Sequence, residues 1–359
     1  MHVQSQEIKY PNSALNLARK TGDSLADKTV KDLFENGFNP LSNESYNKLI
    51  FNHQSIPDEF PKSLKHFFAS FRDYQIDEKL AQRGADFYVE HASAIMLCLG
   101  MLSLPYCYAA AEGAKVLSFS KRIYEQPEKR LTETAEFVFD VCSPEAFTSQ
   151  GKGFISIAKV RLMHAAIRYH LLKSDKWNDE QGTPVNQEDM AGTNLSFSLI
   201  AIRGLRKLGY TVSADQSQNY IQFWNLIGKM LGVHSEWLPG TNHEAFILEQ
   251  KIKNRNFRKS VEGEMLALNL QNYIKSQPLP FNFPSETMMS YLLGEDICKM
   301  IALPYDNLQV DLLSNIKNLN AIKNVFPSNH KKEFINLKKQ FGERNFQNVP
   351  FKFLTQLEG

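Results

Sequence analysis

The sequence predicts an all-α protein, a single large multi-helix domain. Three observations predict it. From about Asp77 onward apolar residues recur at helical spacing over long segments, runs alternating polar and β-branched residues are nearly absent, and several segment starts carry capping residues. With 359 residues, 43% hydrophobic and 22% charged, the chain can bury a substantial core.

Residues 1–75 are polar, carry scattered turn residues (Pro11, Pro40, Pro57, Pro61) and show only short helical patterns. They read as a loosely packed arm or a set of accessory helices, preceding a main helical domain over 76–310 and a lysine-rich helical tail over 311–359 packed on that domain. From Ala92 to Ala111 run twenty residues without a charge, the length a membrane-spanning helix needs. Pro105 interrupts the run, Ser93, Gly100 and Ser103 dilute it, and no Lys/Arg cluster flanks it. The expectation is a buried core helix, or a helix pair broken near Pro105, and no membrane span.

Pro127 can occupy the first turn of a helix reaching about Val141, which Ser143-Pro144-Glu145 ends. Asn186 with Asp189 resembles a capping box opening a helix that stops before Gly209; Ser213 with Gln216 and Thr241 with Glu244 fit that pattern more closely. The tail lysines (Lys317, Lys323, Lys331, Lys332, Lys338, Lys339) lack interleaved stacking aromatics and read as a solvated surface.

A net charge of +2, from 41 basic and 39 acidic residues, gives no reason to expect nucleic acid or an acidic membrane surface as partner. The four cysteines form no CxxC or CxxCH, so no zinc ribbon, thioredoxin-type site or covalently attached haem is supported. The first 25 residues hold no apolar leader segment, and the expected location is the cytoplasm. Walker, GxSxG and GxGxxG motifs are absent.

The candidate chemistry centres on Arg161, His164 and Arg168, which fall within about 60° of one another on a helix whose other residues are Leu, Met, Ala and Ile. A helix apolar nearly all round is normally buried, and buried guanidiniums need anions. A haem would supply both iron for the imidazole and carboxylates for the arginines. A core histidine bonded to a carbonyl, with both arginines paired to Asp or Glu elsewhere in the bundle, explains the same stripe. A second helix face carries Arg130, Glu133 and Thr134 and grades into Phe137 and Val141. It suits either a distal site that polarises dioxygen or an exposed helix start. The acidic loop from Trp177 to Asp189 lacks the spacing of an EF-hand and reads as capping and loop rigidity. His91, His170, His234 and His243 show no metal-ligand spacing.

Arg161-x-x-His164-x-x-x-Arg168, then Gly182-Thr183-Pro184-Val185-Asn186-Gln187-Glu188-Asp189-Met190, then the segment from Leu195 to Gly209 resemble the catalytic domain shared by latex clearing protein (rubber oxygenase) and the endoplasmic-reticulum-bound oxygenase of mycophenolic acid biosynthesis. The resemblance covers roughly residues 80–305. It implies an all-α fold with haem b buried among core helices, and an enzyme using dioxygen on a hydrophobic, unsaturated small molecule. It makes His164 the proximal iron ligand, places Arg161 and Arg168 around the haem, and matches Arg130 and Thr134 to a distal arginine and threonine. Glu133 stands where the rubber-cleaving enzyme has a lysine, which sets distal ligation and a rubber substrate in question and offers a proton acceptor instead. Glu112 is the nearest counterpart of the family's catalytic glutamate. Two alternatives accompany the oxygenase expectation: a haem peroxidase or peroxygenase, and a non-catalytic helical protein binding haem or a lipid, with His91 as a second ligand.

Overall fold

The computed structural model describes residues 9–72, 74–119, 127–277, 284–315 and 330–343, without the side chains of residues 41, 72, 127, 130, 315 and 341–343. Among the described residues every regular element is a helix, joined by one isolated bridge between Ala110 and Phe257. The predicted all-α class is the observed one.

Four helices open the chain: α1 (Asn12–Ala18), α2 (Ser24–Glu35), α3 (Glu44–Lys48) and α4 (Lys62–Arg72). Asp23 caps α2 by accepting from the Ala26 amide, and Asn43 caps α3 by accepting from that of Tyr46. Ala26, Val30 and Leu33 on α2 and Leu64, Phe67, Phe68 and Phe71 on α4 recur at helical spacing and are buried in the same core as the rest of the chain. Of the two readings of this segment, a loosely packed arm or accessory helices, residues 12–72 take the form of helices that pack into the common core.

Helix α5 (Glu78–Cys98) continues through a π-helical turn, Leu99–Ser103, into α6 (Leu104–Tyr108). Pro105 sits in the first turn of α6, where its missing N–H and fixed φ are tolerated. The break near Pro105 therefore takes the form of a wide turn rather than an end. Glu78–Tyr108 is long and apolar enough, by length and composition, to cross a membrane. Here it packs against protein, with Tyr88, Ile95, Cys98, Met101 and Leu102 buried.

Helix α7 (Ala111–Ser118) leads toward α8 (Pro127–Cys142), which packs on the long α9 (Gly153–Leu172). Its start is set by two close approaches: a Cβ on Gly151 or Gly153 would lie 2.0 or 2.7 Å from the carbonyl oxygens of Glu145 and Ala146 respectively. Helix α9 is apolar nearly all round and is buried between α2 and α4 on one side and α8 on the other.

Helix α10 (Gln187–Leu195) runs through a second π-helical turn, Ser196–Ile200, into α11 (Ala201–Lys207). Asn186 caps α10 in both directions, accepting from the Asp189 amide at 2.9 Å and donating to its carboxylate at 2.8 Å. The two π-helical turns meet, and the Ser103 hydroxyl donates to the Ser196 carbonyl at 2.7 Å. Ser213 and Gln216 form the expected reciprocal capping box at the start of α12 (Ala214–Met230). Thr241 caps α13 (Asn242–Asn256), but Glu244 turns back to the Gly240 amide instead. The remaining helices are α14 (Val261–Lys275), α15 (Ser285–Leu293), α16 (Glu295–Met300), α17 (Asn307–Asn315) and α18 (His330–Glu343). Helix α18 lies on α5 and α8, where Phe334 packs edge-on to Tyr88 and Lys338 pairs with Glu145.

Candidate functional site

A cavity of about 500 Å³ opens between α8 and α9 and extends along α6, α10 and α13. That volume falls in the range of sites for cofactors and drug-sized molecules. Its walls are largely apolar, with Leu104, Val116, Phe137, Met163, Phe197 and Trp224 among them. His164 is half-buried and, among the described residues, is the histidine that lines it.

The register of α9 decides which of its polar residues reach the cavity. Ser156, Lys159, Val160, Met163, His164 and Ile167 line it, a broad face on which His164 stands at one edge. Arg161 and Arg168 lie about 40–60° further round, across the boundary to α2. Arg161 makes a two-pronged contact with Asp23, Nε to Oδ2 at 2.5 Å and Nη2 to Oδ1 at 2.9 Å, and donates to the Met230 carbonyl at 3.3 Å. Its guanidinium also lies 5.7 Å from the ring centre of Phe67. Arg168, 2% exposed, donates to Asp27 at 2.6 Å and to the Val185 carbonyl at 2.9 Å. Burial pushes the Asp27 carboxyl upward against the pull of Arg168.

The anions that meet the two guanidiniums are thus protein carboxylates. Of the two readings of the stripe, the pairing of both arginines with carboxylates elsewhere in the bundle is the one seen: Asp23 and Asp27 supply their partners, and neither side chain lines the cavity.

On the facing wall, α8 presents Lys129, Thr132, Glu133, Thr134, Glu136 and Asp140. Glu133 and Thr134 therefore line the same cavity as His164. The side chain of Arg130 lies outside the described residues.

The Gly182–Asp189 segment holds the N-terminal wall in place. Gly182, at φ +80°, packs its α-carbon where a Cβ would meet the Arg19 carbonyl at 2.5 Å. The Thr183 amide donates to that carbonyl at 3.0 Å, and the Gln187 side chain donates to the carbonyls of Gly22 (2.8 Å) and Gly232 (2.9 Å) while accepting from the His234 amide (2.8 Å). The motif is a clasp between three distant segments, consistent with the capping and rigidity read from it.

Behind the clasp, Arg19 meets Asp189 at 3.1 Å and Glu188 at 3.4 Å, Arg255 meets Glu188 at 2.7 Å, and Arg258 meets Glu112. Glu112 belongs to this ion network, and its neighbours Ala110 and Gly113, rather than Glu112 itself, line the cavity. Asp189 does line the cavity, and burial pushes its carboxyl up to about 6 despite Arg19. His91 is elsewhere: its Nδ1 lies 3.0 Å from the Phe87 carbonyl, its ring lies tilted against Phe87 and edge-on to Tyr210, and it does not line the cavity.

Three further groups line the cavity without having been singled out. The Tyr106 hydroxyl donates to Glu249, a 4%-exposed carboxylate that also accepts from Arg203 at 3.0 Å. Burial and Glu249 together raise the Tyr106 phenol, keeping its proton in place. Lys159 stands two residues before Arg161 in the same apolar run, a third buried cation that the local pattern already displays. Tyr106 and Glu249 are 143 residues apart, and no local signal joins them.

An all-helical bundle around an apolar cavity entered by one imidazole defines a protein built to enclose a small hydrophobic group. The family model described as "ER-bound oxygenase mpaB/B'/Rubber oxygenase, catalytic domain" matches residues 88–306, and the chain belongs to that family of oxygenases; it is thereby an oxidoreductase. The rubber oxygenase of Streptomyces sp. (strain K30) is 24% identical over 287 residues, which cover 78% of this chain and 70% of that protein. The solved structure of latex clearing protein in the closed state shares the fold, with a TM-score of 0.77 at 21% identity over 90% of each chain.

Proposed function

We propose that this chain is a haem b oxygenase that uses dioxygen on a hydrophobic small molecule, unsaturated ones included. The observation that carries the reading is His164 on the wall of a largely apolar cavity, opposite Glu133 and Thr134. The donor set fits a macrocyclic iron better than a bare ion. Among the described residues no group of three or more His, Cys, Asp or Glu side chains gathers as a bare metal would need. The cavity volume and apolar walls suit a flat macrocycle, and Lys129 and Lys253 on its lining offer cations for carboxylates now that Arg161 and Arg168 are paired internally.

Haem bound there supplies the activation of dioxygen at iron. The protein's part follows from its own residues. His164 presents its imidazole to the cavity and so is the group that holds the iron. Thr134 and Glu133 bring a hydroxyl and a carboxylate to the same lining, and the carboxylate is the group that accepts a proton there. The Glu249 carboxylate accepts from the Tyr106 hydroxyl, held protonated, and from Arg203 at the half-buried rim, so its charge on the cavity wall is balanced by protein donors. Phe137, Met163, Phe197 and Trp224 exclude water from the substrate's path.

Glu133 also favours a second reading, a peroxygenase in which that carboxylate moves the protons of a peroxide. The test is the absorption spectrum of the haem-supplemented protein before and after His164→Ala, followed by turnover of alkenes under oxygen and under peroxide. The proposal expects a Soret band that His164→Ala shifts or abolishes, and consumption of oxygen. A band indifferent to His164→Ala overturns the ligand assignment, turnover with peroxide alone selects the second reading, and haem binding without turnover under either oxidant leaves a carrier.

A further inference from the structure

The half of the cavity farther from His164 is not apolar. Lys159, 8% exposed, projects into it from α9; Asp140 faces it from the last turns of α8 and accepts a hydrogen bond from Ser156, one turn before Lys159. The lysine's own contacts are loose. Its ammonium lies 4.9 Å from the ring centre of Tyr46, reaches the Asn47 carbonyl at 3.5 Å, and feels Asp140 through space. Burying an ammonium is costly unless its donors are met, and a three-donor head with one long hydrogen bond is poorly met. Burial drives Lys159 down to about 8 and Asp140 upward, as expected of a pair from which water is largely excluded.

From these contacts we infer that the Lys159–Asp140 end of the cavity is a subsite for one neutral oxygenated head, a hydroxyl or carbonyl, on an otherwise apolar chain. The carboxylate selects the head. Lys152 on the same lining also acts on Asp140, but an anionic head would still bring its oxygens against that carboxylate. A hydroxyl oxygen can accept from Lys159 while its proton goes to Asp140, and a carbonyl uses the first contact alone. A pure hydrocarbon satisfies neither group, and a site built to hydrogen-bond an oxygen rejects the analogue lacking it. Five residues of α9 separate Lys159 from His164, about 7.5 Å along the axis. A chain anchored by its oxygen at Lys159 thus presents a bond at a set distance from the head to the level of His164. The inference rests on the proposed function for what happens to that bond, but not for the binding itself.

Saturated probes separate the two, because they bind without being consumed. The full-length, haem-supplemented protein is titrated with dodecanol, dodecane and dodecanoate, following the fluorescence of Trp224 on the cavity wall, with Trp224→Phe to assign the signal. Dodecanol is expected to bind at least about tenfold more tightly than dodecane and more tightly than dodecanoate. Lys159→Met is expected to remove the preference for the alcohol by weakening dodecanol and sparing dodecane, and Asp140→Asn to narrow it, with the Soret band of both variants unchanged. Equal binding of dodecanol and dodecane overturns the proposal, as does tightest binding of dodecanoate or a preference that survives Lys159→Met. Loss of the Soret band in folded Lys159→Met does so too, since the lysine then serves the cofactor. If that variant does not fold, the wild-type comparison and Asp140→Asn decide. A protein that shows the alcohol preference but binds no haem refutes the oxygenase reading alone.

Discussion

Arg161 and Asp23, 138 residues apart in sequence, meet through two parallel hydrogen bonds at 2.5 and 2.9 Å, and the carboxylate that receives them also caps α2. One side chain thus ends a helix, neutralises a guanidinium of α9 and fixes the angle between the two. Asp23→Ala should leave Arg161 buried and unpaired, at a cost of roughly 3–5 kcal/mol. Urea unfolding checks this, and the double variant Asp23→Leu/Arg161→Met should recover most of the loss. Because the pair lies away from the cavity, the Soret absorbance per folded molecule should hold in both.

Gly232 is the hinge of the same contact. At φ +92° its Cβ position lies 2.2 Å from the Asp23 carboxylate and 2.9 Å from Arg161 Nε. Gly232→Ala should therefore combine backbone strain with displacement of the ion pair, for about 2–4 kcal/mol of lost stability. Thermal unfolding would read it as a lowered Tm without a change in helical content at low temperature.

Glu133→Gln removes a proton acceptor while keeping the shape of the cavity wall. Turnover under dioxygen should fall by about 100-fold or more, with substrate affinity little changed. Thr134→Val should cost less, about tenfold, since it deletes one donor. Oxygen uptake at saturating substrate measures both; a Glu133→Gln enzyme as fast as the parent would strip that carboxylate of its assigned part.

Asp189 carries a pH signature. Its carboxyl stands at about 6 in the folded chain and near the ordinary carboxylate value when unfolded, so between about pH 4 and 6 the folded state holds more protons. Its contribution to stability is full below that window and is lost as pH rises through it. Denaturation midpoints at successive pH values should show a component falling across this range that Asp189→Asn lacks. An identical profile in the two proteins would contradict the burial argument.

What was legible in the sequence was local. Caps such as Ser213 with Gln216 announce themselves within four residues, and the apolar run of α9 states its own burial. The direction of each polar residue on that run was not legible. His164 and the two arginines are separated by only about 40–60° around the axis, and that small angle straddles the border between the cavity and α2. Without knowing that α2 carries Asp23 and Asp27 at the matching heights, the same stripe reads as a cofactor floor. The N-terminal helices were obscured by their turn residues, although Ala26, Val30 and Leu33, and Leu64, Phe67 and Phe71, already spelled out buried faces. The Tyr106–Glu249 contact joins distant positions through packing alone and leaves no trace along the chain.

The clasp formed by Gly182, Thr183 and Gln187 has a bearing on how this protein can be shortened. Residues 12–72 lie wholly outside the stretch that the family description spans, which invites trimming them away. A version lacking them would bare two arginines on α9 and leave backbone groups unmet in two loops, at Thr183 and Gln187 and over 146–154, so the minimal stable unit is larger than the minimal recognisable one. Engineers who want a compact variant would have to rebuild α9 first, turning Arg161 and Arg168 into apolar residues before the cut is made.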